Sequence, residues 1–101
     1  MRNSSHKSWK WYVYIIECKD GTYYTGLTWK PELRYDQHIS GLGSNYTSKH
    51  GVKRLAYSEE HQDLKIARAR EKQIKDMNRI DKITLIKTMN PGFKDLYSEI
   101  T

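Results

Sequence analysis

Two runs near the start of the chain carry apolar and polar positions with a period of two, the spacing of a half-buried strand. They are Trp11–Glu17 (WYVYIIE) and Thr22–Thr28 (TYYTGLT), divided by Lys19-Asp20-Gly21. Asp-Gly between two β-prone runs is a strong hairpin signal. In such a hairpin Tyr12, Tyr14 and Ile16 share one face of the first strand, and Tyr24 and Gly26 share one face of the second. Pairing brings Tyr14 near Tyr24, or near Tyr23 in the neighbouring register. Gly26 stands out, because glycine weakens a strand interior and often marks a close approach of another group.

The period then lengthens. Pro31 suits the first turn of a helix running to about Ser40, with Gly41 or Gly43 as its stop. Tyr35, Ile39 and Leu42 would form its apolar strip, with Arg34 and His38 one turn apart along the edge. A polar loop follows, then a third strand over Val52–Tyr57. His61 to Asn78 has a strong helix-forming composition. A shorter helix over Ile80–Met89 should end before Asn90-Pro91-Gly92. The expected order is β-β-α-β-α-α: an α+β fold with a small, mainly antiparallel three-stranded sheet flanked by helices. Residues 1–8 read as a disordered lead-in, 9–90 as the single domain and 91–101 as a tail without a clear assignment.

On the long helix, successive residues fall 100° apart. Leu64, Ile66, Ala67, Ile74 and Met77 gather on one apolar arc, and Lys65, Arg68, Lys72 and Lys75 on an adjoining basic stripe. Arg70 and Glu71 interrupt the arc. Arg70 can snorkel. A carboxylate at position 71 must pair, bind a metal or carry a desolvation cost of several kcal/mol. Lys75, at i+4, is the ordinary partner.

Composition narrows the class of protein. The 101 residues are 37% hydrophobic, enough for one modest core. No apolar run reaches the length of a membrane span. The first residues, MRNSSHKS, lack the apolar centre of a secretory signal. Cys18 is the sole cysteine, which excludes an intramolecular disulfide and makes the cytoplasm the expected location. Its natural reading is a small buried hydrophobe. His6, His50 and His61 lack metal-ligand spacing, so zinc is not expected. Trp9, Trp11 and Trp29 read as core or hairpin-edge anchors.

Charge points outward. Eighteen Lys and Arg against twelve Asp and Glu leave +6. Residues 41–54 carry Lys49, Lys53 and Arg54 with no acid, and the basic stripe adds a second excess. Together they would line a groove for a polyanion, nucleic acid foremost, through phosphate contacts without sequence content. Tyr46 would stack on a base or sugar, or pack in its loop.

In order along the chain stand Tyr12-Val13-Tyr14, Tyr24-Thr25-Gly26, Arg34, His38 and Glu71 within AREKQIK. This series resembles the GIY-YIG nuclease superfamily, in particular its small stand-alone single-domain members. The resemblance spans roughly Trp11–Lys87. Tyr12 replaces the first triplet's glycine and Thr25 the second triplet's isoleucine; both motif tyrosines and Gly26 remain. The resemblance implies a metal-dependent DNA endonuclease. Its catalytic groups would be Tyr14, Tyr24, Arg34, His38 and Glu71, with Glu71 holding one Mg²⁺ (or Mn²⁺). Such an ion keeps several waters and needs few carboxylates. Tyr14 or His38 would be the general base, the phenol needing nearby positive charge from the metal, Arg34 or His38 to lower its pKa. Asn78 and Asn90 stay outside the catalytic set. The alternatives are a non-catalytic nucleic-acid-binding module and a recruitment subunit of a DNA repair complex. With no second domain expected, a homodimer or a protein partner would supply specificity.

Overall fold

The computed structural model describes residues 10–97. The elements are β1 (Trp11–Cys18), β2 (Tyr23–Thr28), α1 (Pro31–Ile39), α2 (Asn45–His50), β3 (Val52–His61), α3 (Leu64–Lys75) and α4 (Arg79–Met89). The sheet order is β2-β1-β3, antiparallel throughout. This is the expected α+β architecture with one helix added and a longer third strand. The lead-in of residues 1–8 and Trp9 lie outside the described residues.

The hairpin closes as its residue types require. Gly21 takes a positive φ of 85°, and Cys18 N–H donates to Thr22 O at 2.8 Å. The Asp20 carboxylate accepts from Thr22 N–H and Oγ1–H. Register pairs Tyr14 with Gly26 and Ile16 with Tyr24. Tyr14 and Tyr24 are therefore diagonal neighbours on one face, and Tyr23 lies on the other.

The central strand is buried on both sides, which splits the core in two. One face gathers Val13, Ile15, Ala56 and Tyr57 with Ala67, Ile74 and Ile86 of α3 and α4. The other gathers Tyr14, Ile16, Cys18 and Leu55 with Tyr35 of α1 and Leu96 of the tail. The tail is thus packed: Leu96 N–H donates to Leu55 O at 2.9 Å and Asp95 Oδ1 accepts from Leu55 N–H, covering part of the outer edge of β3.

Helix ends follow capping chemistry. Asp63 caps α3 and Asn78 caps α4 through side-chain oxygens that accept backbone N–H groups. Asn90 is buried and ties α4 to Ala56 O and to Lys94. Both asparagines have structural work. Helix α1 ends in a Schellman turn, with Gly41 at φ 84° and Leu42 N–H donating to Gln37 O.

Three apolar expectations are corrected. Ile39 and Leu42 are exposed: Ile39 is the last residue of α1, and Leu42 lies past the Schellman turn that ends the helix. Ile66 is exposed because α3 meets the sheet along the narrower stripe of Ala67 and Ile74. Of the two readings of Trp29, core or hairpin edge, the second holds: it follows the end of β2, 45% exposed, with the Lys30 ammonium over its ring.

Candidate active site

The expected loop 41–54 holds the main surprise. Residues 45–50 form α2, a helix of six residues whose Ser44 cap accepts Thr47 N–H at 3.0 Å. Single-turn helices are set by contacts rather than by propensity, so the polar sequence NYTSKH did not announce it. Helix α2 docks on the hairpin. Tyr46 lies against Tyr24 and stacks on His50 at a centroid distance of 4.1 Å, and His50 pairs with Asp20 of the hairpin turn.

This docking encloses His38, which the sequence placed on a helix edge. His38 is 1% exposed. Its Nε2 lies 2.9 Å from Tyr14 Oη and its Nδ1 2.7 Å from Thr47 Oγ1. The Tyr24 ring packs 5.1 Å from the imidazole and 6.4 Å from the Tyr14 ring, centroid to centroid. Burial, with the Arg34 guanidinium as a smaller cause, lowers the His38 pKa to about 4. The imidazole is neutral at pH 7.

Two glycines make room for this cluster. A Cβ on Gly26 would lie 2.3 Å from Tyr14 Oη and 2.4 Å from Cζ, so the phenol rests on bare backbone. A Cβ on Gly43 would lie 2.5 Å from His38 Nδ1. Gly26 was legible as a misfit in a strand. Gly43, Ser44 and Thr47 were not read as site residues; the only signal was a Gly-Ser pair whose Ser stands three residues ahead of a Thr.

Tyr14 is 4% exposed. Burial pushes its phenol up to about 12, against the pull of the Arg34 guanidinium; the Tyr24 and Glu71 charges push further upward. The expected lowering of this phenol by Arg34 and His38 therefore does not hold in the protein alone. Burial outweighs the guanidinium, and the imidazole carries no charge. Arg34 donates to Gln37 Oε1 at 3.0 Å.

Glu71 is partly buried on α3, which packs against β2 and β1. Its Oε2 lies 3.3 Å from Lys75 Nζ, the i+4 partner that helical spacing suggested. A partly shielded carboxylate is a hard oxygen donor, which suits Mg²⁺ or Mn²⁺. Among the described residues no group of three or more His, Cys, Asp or Glu could hold a metal. A hard cation at Glu71 would complete its shell with water and substrate oxygens, so the residues fit that ion.

The outer basic residues divide. Lys49, Lys65, Arg68 and Lys72 are exposed, with Lys72 paired to Asp76 at 3.1 Å. Arg54 is not a free phosphate contact: its Nε lies 3.0 Å from Glu17 Oε1, and its Nη1 donates to Phe93 O. Lys53 Nζ is 3.9 Å from the same Glu17. Arg70 is likewise engaged, its Nε bound to both oxygens of Glu59.

Several proteins similar in sequence to this chain share the name UPF0213. A UPF0213 protein of Desulfotalea psychrophila is 39% identical over 88 residues, 86% of this chain and 80% of that one. A UPF0213 protein of Syntrophus aciditrophicus is 45% identical over 81 residues, 79% of this chain and 92% of its own length. The solution NMR structure of the UPF0213 protein BH0048 from Bacillus halodurans superposes with a TM-score of 0.56 at 34% identity, over 83% of this chain and 89% of that one. The model of the GIY-YIG catalytic domain matches residues 10–83, and the chain therefore belongs to the GIY-YIG family of the nuclease superfamily.

Proposed function

We propose that the protein is a divalent-metal-dependent endonuclease that hydrolyses DNA phosphodiester bonds, with Tyr14, Tyr24, Arg34, His38 and Glu71 as its catalytic groups. The observation that carries the reading is the buried hydrogen bond between His38 and Tyr14, a phenol on which the charges of Arg34 and Glu71 both act. A lean core gains little stability from a buried imidazole and phenol that apolar side chains could replace. Their pairing under the charges of a guanidinium and a carboxylate fits acid–base chemistry.

A phenol held near pKa 12 is protonated at pH 7 and cannot be a free base. It can act by passing a proton on. As the water oxygen forms its bond to phosphorus and the P–O bond to the sugar breaks, the water's proton goes to Tyr14 Oη. Tyr14's own proton goes to neutral His38 Nε2. The choice between Tyr14 and His38 as base thus becomes one hydrogen-bonded pair. Arg34 offers a planar donor fork to the phosphoryl oxygens. The Tyr24 ring packs against both members of the pair and would assist by hydrogen bond. A divalent ion bound at Glu71 would supply Lewis-acid stabilisation of charge on the phosphoryl and leaving oxygens. The exposed Lys49, Lys65, Arg68 and Lys72 would follow the backbone, with Tyr46 at the groove's edge.

Cleavage of labelled plasmid, branched and single-stranded DNA tests the proposal, using wild type and Glu71→Gln with Mg²⁺, Mn²⁺ or EDTA. Metal-dependent cutting that Glu71→Gln abolishes while DNA binding persists is expected. Equal, salt-dependent binding by both proteins without cutting of any substrate would make this a binding module instead.

A further inference from the structure

The hydrogen-bond chain does not stop at His38, and its far end determines what the near end can do. From the structure we infer that Thr47 is a positioning residue: it holds the imidazole as the Nδ1–H tautomer, leaving Nε2 free to accept the Tyr14 proton. The inference rests on the nuclease reading for its consequence, though not for its geometry.

The assignment follows from counting protons. Tyr14 is 4% exposed, so its hydroxyl is shielded from water. Its own proton therefore needs an acceptor, and His38 Nε2 stands at 2.9 Å. If Nε2 accepts, the neutral ring carries its proton on Nδ1, which faces Thr47 Oγ1 at 2.7 Å. Thr47 then accepts from His38 and spends its hydroxyl proton on Ser44, whose Oγ lies at 2.9 Å and whose carbonyl oxygen lies at 3.5 Å. The Tyr14, His38 and Thr47 protons along the chain each have an acceptor. The opposite tautomer would turn Nε2–H toward the phenol oxygen and leave the phenol's proton without that acceptor in a buried site.

The surroundings enforce the contact. Thr47 is 1% exposed. Its place is set by the Ser44 cap of α2, by Tyr46 against Tyr24, and by the His50–Asp20 pair to the hairpin turn. Gly43 lets the ring lie flat, since any Cβ there would meet Nδ1 and push it off Thr47. Helix α2 is in this sense a one-turn clamp on the orientation of one imidazole.

The test reads the tautomer directly. Long-range ¹H–¹⁵N correlation spectra of the labelled protein at pH 7 distinguish a protonated from an unprotonated ring nitrogen, and His38→Gln assigns the His38 signals. Wild type and Thr47→Ser should show Nδ1 protonated. The near-isosteric Thr47→Val should move the ring to mainly Nε2–H. In Mg²⁺-dependent DNA cleavage, Thr47→Val should lose kcat by about 10–100-fold with KM unchanged, and Thr47→Ser should stay within about 3-fold of wild type. An Nε2–H ring in wild type overturns the inference whether or not Thr47→Val folds, as does an Nδ1–H ring in folded Thr47→Val. A wild type that cuts no DNA yet shows the Thr47-dependent Nδ1–H tautomer supports the positioning role and overturns the nuclease reading alone.

Discussion

Gly26→Ala should be among the most costly single-methyl additions to this protein. The added Cβ would sit 2.3 Å from Tyr14 Oη, 2.4 Å from Cζ and 2.9 Å from Cε1, where ordinary contacts begin near 3.4 Å. The ring must retreat by about 1 Å, judged against that same contact limit. It is rigid, 4% exposed and bonded to His38, so retreat breaks the Tyr14–His38 hydrogen bond. Overpacking costs about 1–3 kcal/mol and a broken buried hydrogen bond about 1–3 kcal/mol. A total near 3 kcal/mol lowers Tm by about 12–24 °C in a domain of this size. Urea and thermal unfolding followed by circular dichroism would measure it. A double-mutant cycle isolates the cause. In a Tyr14→Leu background, which lacks the clashing Cζ and Oη, Gly26→Ala should cost under about 0.5 kcal/mol, giving a coupling of about 2–3 kcal/mol. A loss below about 1 kcal/mol in wild type, or equal losses in both backgrounds, would refute the argument.

The buried His38 sets a pH dependence. Its folded pKa is near 4 while an unfolded histidine titrates near 6.5, so between these values the unfolded state binds more protons. Stability should therefore fall as pH drops below about 6.5 and level off near 4, with the loss bounded at about 3 kcal/mol. Urea unfolding at pH 7 and pH 5 should show this slope in wild type and a flatter one in His38→Gln. Thr25, standing where the family motif has isoleucine, is 3% exposed and its Oγ1 has no hydrogen-bond partner among the described residues. Thr25→Val should gain about 1 kcal/mol in the same assay, and a destabilised variant would show that the hydroxyl is satisfied. Lys65→Ala with Arg68→Ala should reduce the slope of log affinity for DNA against log salt by about 2, if each neutralises one phosphate. Arg54→Ala should leave that slope nearly unchanged while destabilising the fold, because its charge is committed to Glu17 and its fork to Phe93 O. The reverse pattern would reassign Arg54 to the DNA surface.

Local chemistry determined much of this protein before any tertiary contact formed. Asp20-Gly21 between β-prone runs specified the hairpin, Pro31 and Gly41 bracketed α1, and period two put Tyr14, Tyr24 and Gly26 on one face. The order of Tyr14, Tyr24, Arg34, His38 and Glu71 was enough to suggest the family. What only the folded structure decided was the environment of these groups. Helical periodicity gives an angle around an axis, not what lies beyond it. His38 therefore read as an edge residue until α2 closed over it, and Leu42 read as core until the Schellman turn led it outward. Helix α2 owes its place to docking on the hairpin, which a six-residue polar sequence cannot encode by propensity. The protonation of the site follows the same logic. Desolvation is a property of the assembled cluster, so the phenol rose and the imidazole lost its charge, although residue types alone suggested that positive neighbours would lower the phenol.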